Sequence, residues 1–308
     1  MYAAMKIYDN LDRRNMTAAD LKPQDDIRPC PACHSRKRKE IGNKNSFQIF
    51  QCECGSLYTG KLADEGSAED YDAYYSEDNL TTPAFLRERL KEIVESFQPF
   101  YKTGALLDIG FGAAALLCVA RDSGWEACGI EVSAPAVKHA RDLGLDVRHG
   151  YLHTANYPDD HFDVVTASEI LEHCDEPEIL LDEVHRILRP GGLFWATTPA
   201  ASGLSYRLMG LHWTVLHPPE HLQLFSRRAV YGFLSNFSSA KVLTHAFNPS
   251  EVMAYLRNKD ASFDRVTAGY AINEKLSASQ KMRLVKTVLN GTLNAFGIGD
   301  SLKIFAIK

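Results

Sequence analysis

Between Ala105 and Pro199, short apolar runs alternate with longer segments in which apolar residues recur every three or four positions. The short runs have the length of buried strands, and the longer segments have helical spacing. The runs are ALLDI, EACGI, DVRH, FDVVTA and GLFWATT, and the helical segments are 113–122, 135–143 and 178–188. This alternation predicts an α/β domain in which helices cover both faces of a parallel sheet.

The same kind of pattern extends the domain on both sides. Before the first strand it predicts a helix within 83–101. After the last of these strands it predicts a helix at 227–234, a strand at 241–246 and a terminal strand LKIFAI. An amphipathic stretch, 281–296, is interpreted as core packing rather than as a lid or a lipid contact. From the changes in composition we expect a flexible leader over 1–27, a small module over 28–62, a connector over 63–82 and the main domain over 83–308.

Charge and hydropathy narrow the class of protein. The formal net charge is −5, which offers no general attraction for nucleic acid. No apolar run is long enough to span a bilayer, and the start of the chain does not resemble a signal peptide. We therefore expect a cytoplasmic protein. The pattern does not predict an oligomeric state.

A glycine-containing turn follows the first strand of the main domain. Gly110 and Gly112 would let a ligand approach the backbone, but this spacing also occurs in dinucleotide-binding domains. Asp108 at the strand tip would repel a pyrophosphate and suits a ligand that carries an ammonium and a sulfonium. Glu131 ends the next strand, where a carboxylate can accept hydrogen bonds from ribose hydroxyls. The alternative is that both carboxylates only cap the helices that follow.

These residues resemble the class I S-adenosylmethionine-dependent methyltransferases. The resemblance rests on LLDIGFGAA, GIEVS, FDVVTASEILEHCDEP and LRPGGLFWATTP in that order, over about 106–199. It implies a Rossmann-like, doubly wound seven-stranded sheet whose last strand is antiparallel. It also implies that the cofactor, S-adenosyl-L-methionine, lies across the carboxyl ends of the first strands.

The resemblance assigns residues to parts of the cofactor. It places the methionine part near Asp108, Gly110 and Gly112, and the ribose on Glu131. It places the adenine near Val132 and the segment Gly150-Tyr151-Leu152, and the mouth of the site for methyl transfer at Ser168, Glu169 and Ile170. Ser133, next to Val132, is also assigned to cofactor binding. The chain departs from the family pattern at two points, because Ala114 stands where a third glycine is common and no acidic residue follows Gly150.

Two histidine-bearing segments are candidates for the chemistry. In the segment Trp213–Ser226, His217 and His221 accompany a glutamate and two prolines, and either imidazole could take a proton from an acceptor hydroxyl. Alternatively, His221 bonds to backbone and shapes the pocket while Ser226 caps the next helix. The Glu172-His173 pair resembles a turn that closes a helix against the sheet in related sequences, and a catalytic His173 is the alternative.

The cysteines of the small module form a candidate zinc-ribbon-like site. Cys30 and Cys33 have the spacing of a metal knuckle, whereas Cys52 and Cys54 are one residue closer than usual, so His34 is an alternative fourth ligand. We expect a structural Zn²⁺, with free buried thiols as the other interpretation. The basic run Arg36–Lys39 could bind phosphate or form a solvated loop.

Together these features predict a methyltransferase that acts on a small molecule, with a hydroxyl of a sugar or another biosynthetic intermediate as the favoured acceptor. Nitrogen and carbon acceptors stay open. The alternative is a ribosomal RNA base methyltransferase whose zinc module contacts RNA through Arg36–Lys39. A third interpretation is a cofactor-binding protein without catalytic activity that supports a partner.

Overall fold

A computed structural model of the protein describes residues 27–62, 80, 83–258 and 280–308. The predicted leader and connector fall almost entirely outside these residues. The strands are β1 (Arg38–Lys44), β2 (Phe47–Cys52), β3 (Leu57–Thr59), β4 (Ala105–Ile109), β5 (Glu126–Glu131), β6 (Asp146–His149), β7 (Phe162–Ser168), β8 (Leu188–Pro199), β9 (Gln223–Leu224), β10 (Ser239–His245) and β11 (Ser301–Ile307). The helices are α1 (Ala84–Glu95), α2 (Ala115–Asp122), α3 (Ala134–Asp142), α4 (Pro177–Ile187), α5 (Leu204–Met209), α6 (Arg227–Phe233), α7 (Pro249–Arg257) and α8 (Gln280–Phe296).

The larger sheet has seven strands in the order β10-β11-β8-β7-β4-β5-β6. Strands β4 to β8 are parallel, and β11 is antiparallel to both of its neighbours. This confirms the predicted Rossmann-like α/β fold with its antiparallel last strand. Every residue of β4 is buried, as expected for a strand in the middle of a sheet that is covered on both faces.

The smaller sheet combines two parts of the chain. Strands β1, β2 and β3 form an antiparallel meander, and β9 from the main domain pairs with β3. In this pairing Leu57 lies opposite Leu224 and Tyr58 lies opposite Gln223. Strand pairing therefore joins the cysteine-containing module to the histidine segment of the main domain, Trp213–Ser226.

Helix α8 begins and ends close to the predicted amphipathic stretch, but its apolar face is only partly packed. Leu293 is buried, whereas Leu284 is 64% exposed and Phe296 is 73% exposed. Within the described residues, the interpretation of this stretch as core packing therefore holds for one turn near its end and not for the whole helix. No helix among the described residues has both the length and the apolar character needed to cross a membrane.

Candidate active site

The turn after β4 requires glycine at two positions. Gly110 has a φ of +65°, and a Cβ at this position would lie 2.1 Å from Cδ1 of Ile170. Gly112 also has a positive φ, +51°. Such backbone favours glycine, because a side chain would be strained and at Gly110 would also clash. The glycines therefore let Ile170, which follows β7, pack directly against the turn after β4.

Asp108 is a buried carboxylate that does not cap helix α2. One of its oxygens accepts a hydrogen bond from Thr166 Oγ1 at 2.6 Å, and α2 begins after Ala114 without a side-chain cap. Burial raises the pKa of Asp108 to about 7, although the Thr166 hydrogen bond opposes this shift. A nearby cation would favour the ionised carboxylate, so the site suits the cationic methionine end of S-adenosylmethionine.

Glu131 is held in place by backbone donors. Its carboxylate accepts hydrogen bonds from Gly112 N at 3.1 Å, Val132 N at 2.7 Å and Ser133 N at 3.1 Å. The cap of α3 is instead the Ser133 hydroxyl, which accepts from Ala136 N. The capping alternative thus fails for both carboxylates. Glu131 spans from the glycine turn to the end of β5, where a ribose would lie.

The other residues assigned to the cofactor surround these two strand tips. Leu152 is buried, whereas Tyr151 is 48% exposed and its ring stacks on His153. Ser168 ends β7 and shares a hydrogen bond with Thr197 across 2.9 Å. Glu169 follows with a φ of +55°, and its N–H donates to the Thr197 carbonyl. Both Ser168 and Glu169 are exposed, as residues at the mouth of a site should be.

Three side chains meet just beyond this mouth. Glu172, His173 and His221 each place a ligand atom within 4.8 Å of the other two, and Glu172 and His221 are buried. The rings of His173 and His221 lie edge to face with centroids 4.8 Å apart. We call these three residues the histidine cluster. The fold therefore brings His221 to the turn that contains His173, although the two are far apart in sequence.

Backbone carbonyls fix the tautomers of both imidazoles. His173 Nδ1 lies 2.8 Å from the Glu220 carbonyl, and His221 Nδ1 bonds to the Val215 carbonyl. Because a carbonyl oxygen only accepts, Nδ1 donates in both rings, and Nε2 carries the lone pair when a ring is neutral. Ligating histidines are typically oriented in this way. The cluster could therefore receive a proton or hold a divalent cation.

The third residue of the cluster is Glu172, whose two carboxylate oxygens have different hydrogen-bonding surroundings. Its Oε2 accepts a hydrogen bond from Thr198 Oγ1 at 2.9 Å, while its buried Oε1 has no hydrogen-bond partner among the described residues. Burial, followed by the nearby charge of Glu169, raises the pKa of Glu172 well above its ordinary value. A proton or a cation at this position would relieve the cost of the buried charge.

His217 lies outside the histidine cluster. Its Nδ1 is 3.5 Å from Glu220 Oε2, and 45% of its side chain is exposed. Its carbonyl accepts from His221 N. The two histidines named by the sequence as candidate bases thus have different surroundings, since only His221 belongs to the histidine cluster.

The four cysteines of the small module converge. Their sulfur atoms lie within 4.8 Å of one another, with Cys30 to Cys54 at 3.7 Å and Cys33 to Cys52 at 3.4 Å. Sulfurs around a tetrahedral zinc are separated by about 3.8 Å, so the four residues fit this metal. His34 instead contacts Glu178 at 2.9 Å and is not needed as a ligand.

Comparison with known proteins agrees with the fold. A model of the methyltransferase domain family matches residues 83–237, about half of the chain. The chain therefore belongs to the methyltransferase domain family. A solved S-adenosylmethionine-dependent methyltransferase from Archaeoglobus fulgidus superposes with a TM-score of 0.50 at 18% identity, covering 78% of this chain and 100% of that one. At this identity the match shows a shared fold.

Two curated relatives are named as O-methyltransferases. The ubiquinone biosynthesis O-methyltransferase of Thiobacillus denitrificans is 32% identical over 110 residues, which cover 33% of this chain and 47% of that protein. The malonyl-[acyl-carrier protein] O-methyltransferase of Enterobacter lignolyticus is 27% identical over 158 residues, which cover 49% and 60%. The chain thus matches only part of the length of each relative.

Sequence reasoning missed several residues of this site. It considered Glu172 only as part of a turn, although an acidic residue inside an apolar run was a usable signal. It gave no role to Gln223, which is fully buried, or to Arg28. No local pattern marks these two residues, because their partners lie on distant parts of the chain.

Proposed function

We propose that this protein is an S-adenosylmethionine-dependent methyltransferase that methylates a hydroxyl group of a small molecule. Family membership and the buried carboxylates of Asp108 and Glu131 at neighbouring strand tips support binding of the cofactor. The names of the two curated relatives favour oxygen as the acceptor atom. The observation that carries the proposal is the histidine cluster beside Glu169, because hydroxyl methylation needs a proton acceptor near the methyl group.

In the proposed mechanism, bound S-adenosylmethionine supplies an electrophilic methyl group on a sulfonium. Asp108 and Glu131 would hold the methionine and ribose parts of this cofactor at the tips of β4 and β5, and Ser168 and Glu169 would lie at the mouth of the site. The acceptor hydroxyl lies between this mouth and the histidine cluster. Nε2 of His221 would take the proton of this hydroxyl, while the cofactor would supply the methyl group and leave as the neutral thioether once its sulfur–methyl bond is broken. His173 and Glu172 hold the ring in position and keep water from competing.

The decisive experiment compares His221→Ala with His217→Ala. Labelled methyl transfer from S-adenosylmethionine into the small-molecule fraction of a host extract is measured for each variant, together with its affinity for the cofactor. We expect His221→Ala to lower turnover by about 10²–10⁴-fold, the usual range for loss of a general base. His217→Ala should have a much smaller effect, and the affinity for S-adenosylmethionine should change in neither.

A second arm repeats the assay on zinc-loaded protein with and without added Mg²⁺. If the cluster transfers a proton without a second metal, turnover is the same in both. If a cation occupies the cluster, omission of Mg²⁺ lowers turnover and Glu172→Gln abolishes the response to Mg²⁺. Full turnover by His221→Ala, or transfer of the label only into RNA, would contradict the proposal.

A further inference from the structure

Arg28 occupies the junction between the cysteine module and the main domain. Its Nε donates to the Thr59 carbonyl at 2.8 Å, and its Nη2 lies 3.0 Å from the Leu222 carbonyl and 3.0 Å from Gln223 Oε1. A guanidinium is well suited to this task, since its donors point in fixed, diverging directions. One side chain of the module thus fixes the two residues that directly follow His221.

Gln223 connects Arg28 to the other histidine-bearing segment, which contains Glu172 and His173. Its Oε1 accepts from Arg28, and its Nε2 donates to the carbonyls of Leu171 and Cys174. These carbonyls lie on either side of Glu172 and His173. In addition, Leu222 N donates to the Glu172 carbonyl at 3.1 Å. The amide of Gln223 therefore connects the module to the turn that carries two of the three cluster residues.

The module also holds the ends of the same segment. Lys44 Nζ donates to the Trp213 carbonyl and Asn45 Nδ2 donates to the Pro218 carbonyl, both at 2.7 Å. At the other end, Ser226 Oγ donates to the carbonyl of Cys54 at 2.6 Å. Cys54 is one of the four converging cysteines, so a metal ion bound there would fix an anchor of the histidine segment directly.

We infer that Arg28 and Gln223 are positioning residues through which the metal-binding module sets the geometry of the histidine cluster. The module is then a working part of the acceptor site, although none of its residues touches the reacting atoms. A charge-assisted hydrogen bond from Arg28 and an amide hydrogen bond from Gln223, both partly buried, act in series and make this connection stiff. Its effect on turnover rests on the proposed function, whereas its effect on the local structure does not.

The test uses the full-length, zinc-loaded protein with Arg28→Gln, Arg28→Lys and Gln223→Glu. Gln223→Glu keeps an acceptor for Arg28 and loses the donor to Leu171 and Cys174. Arg36→Gln is the matched control, because Arg36 is an exposed arginine of the same module. Zinc content and affinity for S-adenosylmethionine show that each variant is folded.

Amide hydrogen exchange is followed in peptides covering 169–176 and 213–226, with 105–131 as the reference region. We expect Arg28→Gln and Gln223→Glu to speed up exchange in both segments and leave the reference unchanged, because local opening becomes easier when these bonds are lost. Arg28→Lys should give a partial effect. Turnover should fall about tenfold in Arg28→Gln, the size expected for a lost charged hydrogen bond, with an unchanged cofactor affinity.

Wild-type exchange rates in both segments of Arg28→Gln and Gln223→Glu would overturn the inference. An increase in exchange equal to that of Arg36→Gln would also overturn the inference. If no variant, including wild type, transfers methyl to a small molecule, the proposed function fails while the exchange measurement still decides the role of Arg28. Should Arg28→Gln not fold, Gln223→Glu makes the same comparison with a change of a single side-chain group.

Discussion

The buried carboxylate of Asp108 is a single group that can make the affinity for the cofactor depend on pH. The carboxylate is buried at the end of β4, and burial raises its pKa to about 7. In the protein without cofactor it is therefore partly protonated at neutral pH. A cationic ligand at this position would lower the pKa again, because an opposite charge favours the ionised form. Binding and ionisation are thus linked.

This linkage predicts that affinity for S-adenosylmethionine rises with pH between about 5.5 and 7, by up to about tenfold per unit. Below its pKa of about 7 in the free protein, Asp108 must release a proton when the cofactor binds. Calorimetry in two buffers with different ionisation enthalpies measures both the affinity and the released proton. Asp108→Asn should bind weakly at every pH and release no proton. A wild-type affinity that does not vary over this range would contradict the assignment.

At the scale of secondary-structure elements, the smaller sheet contains two very short strands. Strand β3 has three residues and β9 has two, and such short strands are stable only with outside support. The four cysteines would provide that support on one side, because a metal ion bound by them would fix the last residue of β2, Cys52, and the turn with Cys54 that precedes β3. Because β3 pairs with β9, an ordered module also holds in place the segment that carries His221.

Loss of one cysteine should therefore cost both metal and stability. In Cys33→Ser we expect zinc to fall far below one ion per chain and the melting temperature to fall by at least about 5 °C, because binding of a structural zinc is coupled to folding. Metal analysis and thermal unfolding check this. Cys118→Ser, which lies outside the cluster, is the control. Wild-type protein purified without chelators and found to be free of zinc would contradict the assignment of this metal.

At the scale of the whole molecule, charge argues against nucleic acid as the partner. The chain carries a formal net charge of −5. Part of the basic run Arg36–Lys39 has partners within the module, since Lys37 Nζ lies 3.8 Å from Glu53 and the Arg38 guanidinium lies over the Phe50 ring. The run is therefore a weaker electrostatic surface than its sequence suggests.

We accordingly expect no measurable binding to ribosomal RNA fragments at about 0.15 M salt. Fluorescence anisotropy with labelled RNA over a series of salt concentrations is the measurement. Lys37→Gln and Lys39→Gln serve as comparison variants. A steep salt dependence that these two substitutions reduce would instead favour the ribosomal RNA alternative.

The sequence by itself determined the fold and predicted a region for the cofactor. Apolar periodicity predicted the strands of the larger sheet, and the order of Asp108, the glycine turn and Glu131 predicted where the cofactor lies. These features depend on neighbours along the chain, so a local pattern records them. The amphipathic stretch at α8 shows the limit of this reasoning, because periodicity identifies an apolar face but not what covers it.

Only the tertiary structure decided which distant polar side chains lie together. It placed His221, but not His217, beside His173 and Glu172. It also placed Arg28 and Gln223 between the module and the histidine cluster. Each of these contacts joins residues that are distant in sequence, and buried polar groups find such partners by the packing of whole elements. No spacing along the chain encodes them.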